Sequence, residues 1–344
     1  MPDTLPADHS KMNAGQQAGA RPALGVIFHP GFPPESLADY ARRAEAGGFD
    51  ELWLWDDCFL AGAFTSAAIA LSATQTLKVG IGLVPATSIN PLFAAMELTT
   101  LARAFPGRIL PGFGHGLAVW MAQIGAAPKS SLTSLGETVT ALRQLLGGES
   151  VSTQGQRVKL DRVQMHMTAA HIPPLYVGAI REKSLRLAGR VGDGAILPSM
   201  SSPAYVRWAQ EHLRAGAAES GRTDQRLVVY LDVKVSPDGA LARAAMRRTL
   251  AGRLPWEDAH MNALGITSEV AELVQAHGRD GFAQAMPDAW VDALTAAGTP
   301  QQAADAVQCM AATGAGSIVF QPLDGDPTCL DEYIQHLMPL LTSR

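Results

Sequence analysis

Short, nearly unbroken apolar runs recur along this chain with helical stretches between them, and that alternation limits the fold more than any other feature. Eight runs read as strands: Leu24–Phe28, Glu51–Trp55, Lys78–Val84, Arg108–Gly114, Leu175–Ala179, Gly194–Leu197, Leu227–Val235 and Ser317–Gln321. Continuous rather than alternating hydrophobicity marks strands covered on both faces, as in a parallel sheet wrapped by helices. The intervening stretches carry helix punctuation. Pro34 opens one that Gly47-Gly48 closes, Pro91 opens another that halts at Pro106-Gly107, and Thr299-Pro300 opens a third that ends at Gly314. Eight such units in 344 residues predict an α/β fold, a TIM (β/α)8 barrel with extra segments.

Two intervals are too long for a single crossover. Residues 117–174 contain a helical pattern at Leu132–Leu146 and a hairpin near Val151–Leu160, and residues 237–299 contain several helical patterns. Both read as insertions, after strands 4 and 7, into one barrel domain spanning 22–344. Residues 1–21 are polar and Ala/Gly-rich, with no apolar stretch, and read as a disordered leader rather than a signal peptide.

Hydrophobic residues make up 47% of the chain, enough for a large buried core, and the net charge is −5. No Lys/Arg run tracks a phosphate backbone, so nucleic acid is not an expected partner. No apolar stretch is long enough to span a membrane. Cys58, Cys309 and Cys329 lack paired spacing, which argues against a disulfide or zinc framework and for a reducing cytoplasm. His166 and His171 have no acidic partner nearby, so no metal is expected, and no G-x-S-x-G elbow suggests a hydrolase.

Barrel active sites sit at the C-terminal ends of the strands. There the first run delivers His29, the second Asp56-Asp57, and the fourth the turn ending in His115. Gly80, Gly82, Gly112, Gly114 and Gly178 fall on three consecutive strand ends. Glycine there admits the close approach of something flat, or simply fits the taper of a packed barrel. Gly178-Ala179-Ile180 runs into a helix start beside Arg181 and Lys183, a turn suited to an anion or, on the plainer reading, an ordinary loop. Asp56 and Asp57 point to opposite sides, so one can face the mouth while the other caps a helix.

Several segments, taken in order, carry a resemblance: Ala46-Gly47-Gly48-Phe49-Asp50 into Trp53-Leu54-Trp55-Asp56, Val79-Gly80-Ile81-Gly82-Leu83, Gly112-Phe113-Gly114-His115-Gly116, Pro173-Pro174-Leu175-Tyr176-Val177-Gly178-Ala179 and Gly298-Thr299-Pro300. Together they resemble the luciferase-like monooxygenase superfamily, and within it the coenzyme F420-dependent oxidoreductases. The resemblance implies a barrel whose mouth binds a deazaflavin, with a non-prolyl cis peptide at Gly82-Leu83 behind the ring and the phosphate-bearing tail at Gly178, Ala179, Ile180 and Arg181. It implies cofactor contacts from Asp56, Gly82, Leu83, Gly112, Gly114 and His115, and proton exchange by Asp57 or His29. The expected activity is hydride transfer between coenzyme F420 and a small organic substrate, by a homodimer. The alternatives are an FMN-dependent two-component monooxygenase of the same fold and a non-catalytic cofactor-binding barrel. Two positions depart from the deazaflavin pattern: Asp57 stands where a His is usual, and Leu117 stands where the sugar-phosphate dehydrogenases carry a Glu.

Overall fold

All eight apolar runs become strands of one parallel sheet that closes on itself. The computed structural model describes residues 21–323 and 326–342, so the leader expected at residues 1–21 lies, apart from Arg21, outside the described residues. The strands are β1 (Ala23–Ile27), β2 (Glu51–Leu54), β3 (Lys78–Pro85), β4 (Ile109–Gly114), β5 (Val151–Gln154), β6 (Lys159–Val163), β7 (Tyr176–Gly178), β8 (Gly194–Leu197), β9 (Arg226–Val235), β10 (Ala296–Gly298) and β11 (Ser317–Pro322). The closed order is β1-β2-β3-β4-β7-β8-β9-β11 and back to β1, a TIM barrel.

Helices form the outer layer because each presents one apolar stripe. Helix Leu37–Ala46 buries Leu37, Tyr40, Ala41 and Ala44, the spacing of a single helical face. Gly48, at φ 87°, then turns the chain into β2 in a conformation few other residues adopt. Helix Pro91–Ala104 starts where Asn90 accepts a hydrogen bond from the Leu92 amide at 2.9 Å.

The barrel interior is packed by Ile27, Trp53, Leu110, Tyr176, Ile196, Val228, Tyr230 and Val319. Its N-terminal end is closed by a polar knot around Glu51, which is fully buried. Glu51 accepts from Trp53 Nε1 at 2.8 Å and from Ser317 Oγ at 2.9 Å, and pairs with Arg226. Arg226 also donates to Tyr176 Oη at 3.3 Å. Both oxygens of the carboxylate are thereby engaged, the condition under which a buried charge is tolerated.

The interval between β4 and β7 holds helices Ala118–Gln123 and Ser131–Leu146 and the antiparallel β5–β6 hairpin. The interval between β9 and β11 holds helices Gly239–Arg253, Asp258–Leu264, Thr267–Ala285 and Asp288–Leu294. These enclose their own apolar cluster around Met246, Leu250, Phe282 and Val291. This interval also contributes β10, which pairs with the C-terminal extension of β9 from Val233 to Val235. The sequence reading did not include that strand. Three small residues, Ala-Ala-Gly, have no periodicity of their own, and the pairing exists only because β9 outruns β8.

Candidate active site

The C-terminal mouth gathers the predicted groups on neighbouring strands. His29, half-buried after β1, stands edge-on to Trp55 with ring centroids 5.3 Å apart. Its Nδ1 accepts from the Gly31 amide at 3.0 Å. Burial holds the imidazole below its ordinary value, and the Asp57 carboxylate opposes that shift. An uncharged His29 with Nδ1 already accepting carries its proton on Nε2.

The adjacent carboxylates after β2 divide their work. Asp56 Oδ1 accepts from the Ala63 amide at 2.6 Å, at the start of helix Ala63–Ala73. Burial pushes its carboxyl above the usual range against that hydrogen bond. Asp57 makes no side-chain hydrogen bond among the described residues and sits within electrostatic reach of His29. One carboxylate thus holds the first amide of a helix, and the other is left without a side-chain hydrogen bond among the described residues.

Pairing between β3 and β4 breaks register between Ile81 and Val84, and the Gly82–Leu83 peptide inside that bulge is cis. A bulge re-aims side chains beside an active site. Here it lays Leu83 over Gly114 and Gly178, so a Cβ at either glycine would meet the Leu83 side chain. At Gly80 a Cβ would meet Trp53, at Gly112 Ile196, and at Gly82 the hydroxyl of Tyr230. The sequence leaves these glycines open to two readings, the close approach of a flat ring or the packing of a tapered barrel. In the structure the space beside each is filled by the protein, and the glycines let large interior side chains close up beneath the mouth.

The turn after β7 also departs from expectation. The amides of Ile180 and Arg181, expected to be free for an anion, donate to Ser184 Oγ at 3.2 and 3.1 Å. The Arg181 guanidinium is engaged by Asp258 at 3.0 and 3.2 Å. Lys183, exposed in the first turn of helix Glu182–Val191, forms no ion pair among the described residues. His115, after β4, has a buried Nδ1 without a hydrogen-bond partner, and burial holds it below its ordinary value.

The structure adds four residues that the sequence reading did not single out. Tyr230 on β9 donates to the Gly82 carbonyl at 2.9 Å. Asp232, two residues on and on the same face, is 3% exposed, and its Oδ2 has no hydrogen-bond partner. Arg253 ends the helix Gly239–Arg253, donates to Ser199 Oγ at 2.8 Å, and stands 3.8 Å from Asp232 Oδ2. Asp232 was legible in one respect, as the lone acid in the otherwise apolar stretch Leu227–Val233. Arg253 and Ser199 reach it only through folding.

A family model described as luciferase-like monooxygenase matches residues 6–317 of the chain. The chain belongs to the luciferase-like monooxygenase family. Among its relatives in that family, a 5,10-methylenetetrahydromethanopterin reductase of Methanolobus tindarius is 28% identical, over 80% of this chain and 87% of the relative. An F420-dependent glucose-6-phosphate dehydrogenase of Nakamurella multipartita is 30% identical over 62% of this chain and 67% of the relative. The fold is shared with the coenzyme F420-dependent tetrahydromethanopterin reductase of Methanopyrus kandleri, at a TM-score of 0.80 and 21% identity, covering 94% of this chain and all of that one. The family resemblance read from the sequence, and the barrel that it implies, are therefore borne out.

Proposed function

We propose that this protein moves a hydride between coenzyme F420 and a small organic substrate held over the C-terminal mouth of the barrel. The bulge in β3 carries the reading: backbone there leaves regular pairing beneath the mouth, with the Gly82 carbonyl tied down by Tyr230. Relatives named for F420 support the choice of cofactor.

The mouth offers a ligand polar groups that the protein itself leaves unmet. Two buried polar atoms, Asp232 Oδ2 and His115 Nδ1, lack a hydrogen-bond partner in the protein, and such atoms call for a ligand or water. Gly82, Leu83, Gly112, Gly114 and His115 would lie beneath the ring, and Lys183 would face the tail, because the amides of Ile180 and Arg181 already donate to Ser184 and the Arg181 guanidinium is held by Asp258. When bound, the cofactor supplies a two-electron hydride carrier. The chain positions the partners and excludes water, which accounts for most of what a protein adds to such chemistry. Asp57 or the uncharged His29 exchanges the accompanying proton with the substrate, while Asp56 holds the loop by capping its helix. Exposed Phe93 and Met96 on one outer helix support a homodimer, and the unpaired cysteines support a cytoplasmic setting.

Titration of oxidised F420 with the protein, followed by cofactor fluorescence, tests the reading. A saturable change is expected, and no change up to high micromolar cofactor would overturn it. Turnover with reduced FMN and oxygen, but not with reduced F420 under nitrogen, would assign the chain to the oxygenating branch instead.

A further inference from the structure

Asp232 is a buried carboxylate with an oxygen that no hydrogen bond reaches. On β9, Val228, Tyr230 and Asp232 share the inward face. Tyr230 crosses the barrel to the Gly82 carbonyl, so Asp232 stands one layer above that crossing, on the wall opposite the β3 bulge. It is 3% exposed, and Oδ2 accepts no hydrogen bond. Its cationic neighbour is too far away for one: Arg253 Nη1 lies 3.8 Å from Oδ2, while Nη2 is spent on Ser199. A buried carboxylate in so incomplete a setting is costly, and burial outweighs Arg253 and Ser199 in setting its ionisation, pushing it up to about 6.

We propose that Asp232 takes up a proton when the cofactor binds above it and then donates a hydrogen bond to a carbonyl-type acceptor on the bound ring. The inference rests on the hydride-transfer reading above and deepens it. A neutral carboxylic acid is a strong donor that asks for no counter-charge, and a buried site is where a carboxyl stays neutral near pH 7. Arg253 accommodates the change because its side chain is 38% exposed and it also feels the Glu257 carboxylate.

The groups around Asp232 and its neighbour Arg253 come from four elements. Arg253 ends its helix, and Glu257 and His260 lie just beyond it; Ser199 follows β8; and Gln321 on β11 is the register partner of Asp232. His260 is held uncharged in the neutral range, so Asp232 and Glu257 are the two groups here whose ionisation rises toward neutrality.

Calorimetric titration with oxidised F420, in two buffers of different ionisation enthalpy, reads the proton directly. Wild type is expected to take up a proton on binding, with a Kd that weakens by up to about tenfold per pH unit above pH 6. Asp232→Asn keeps a donor but cannot titrate, so it should bind without that uptake and with the steep pH dependence gone. Asp232→Ala should bind roughly fivefold to tenfold more weakly than Asp232→Asn at pH 6; if it fails to fold, the isosteric variant decides alone. Glu257→Gln should behave as wild type. Uptake that persists in Asp232→Asn, or that vanishes in Glu257→Gln, overturns the proposal. So does wild-type binding with no proton uptake. Failure of wild type to bind F420 at all overturns the hydride-transfer reading itself, a separate result.

Discussion

The hydroxyl of Tyr230 on β9 lies 2.9 Å from the carbonyl oxygen of Gly82 on β3 and donates to it across the width of the barrel. The two strands stand opposite one another in the closed order, so this one bond ties the bulge to the far wall and fixes the floor of the mouth. Tyr230→Phe leaves the buried carbonyl unpaired. The expected loss is about 1–3 kcal/mol of stability in urea unfolding, together with weaker F420 binding. Stability lost with no change in binding would show that the bond does not shape the site.

Leu83 occupies the space that a side chain at Gly178 would need. Gly178→Ala should therefore destabilise by roughly 1–3 kcal/mol. Leu83→Ala should relieve that clash, so the double variant should cost less than the sum of the singles. Strict additivity in chemical denaturation would mean that the two positions do not touch.

The Glu51–Arg226 pair closes the opposite end of the barrel. Glu51→Ala strands a buried guanidinium and should cost about 3–5 kcal/mol. The variant that remains folded should bind F420 as wild type does, because the knot lies a full strand length from the mouth. Weakened binding by folded protein would contradict that separation.

His260 is fully buried against Tyr205, with ring centroids 4.2 Å apart, and neither of its nitrogens has a hydrogen-bond partner. Burial lowers its ionisation from 6.5 to about 4, with Arg253 adding to the effect. The folded form thus binds a proton less readily than the unfolded chain. Its contribution to stability is complete above pH 6.5 and is lost as pH falls from there through about 4. The loss amounts to at most about 3 kcal/mol. His260→Leu should flatten the stability–pH curve over that window in thermal or urea unfolding. An unchanged slope would assign the acid sensitivity to other groups.

The strands and the order of the barrel were legible because a strand buried on both faces must be apolar throughout, and that constraint is local. Asp56-Asp57 and His29 were legible as candidates because strand ends in this fold point at the mouth. Which carboxylate caps and which stays free was not, because the choice depends on where the Ala63 amide comes to rest. The glycines show the same limit. Their positions announced close approach, yet only the packed barrel reveals that Trp53, Ile196, Tyr230 and Leu83 are what approaches.

The amino-acid order by itself determined the βα alternation, the boundaries of the helices punctuated by proline and glycine, and the family, since each is written in local patterns. Tertiary structure alone decided that Arg253, from an excursion of the chain, stands near Asp232, and that Ser184 takes up amides at the turn after β7. Those contacts join residues that no sequence period relates. Burial then alters their chemistry, because a charge loses its water only after the walls around it have closed.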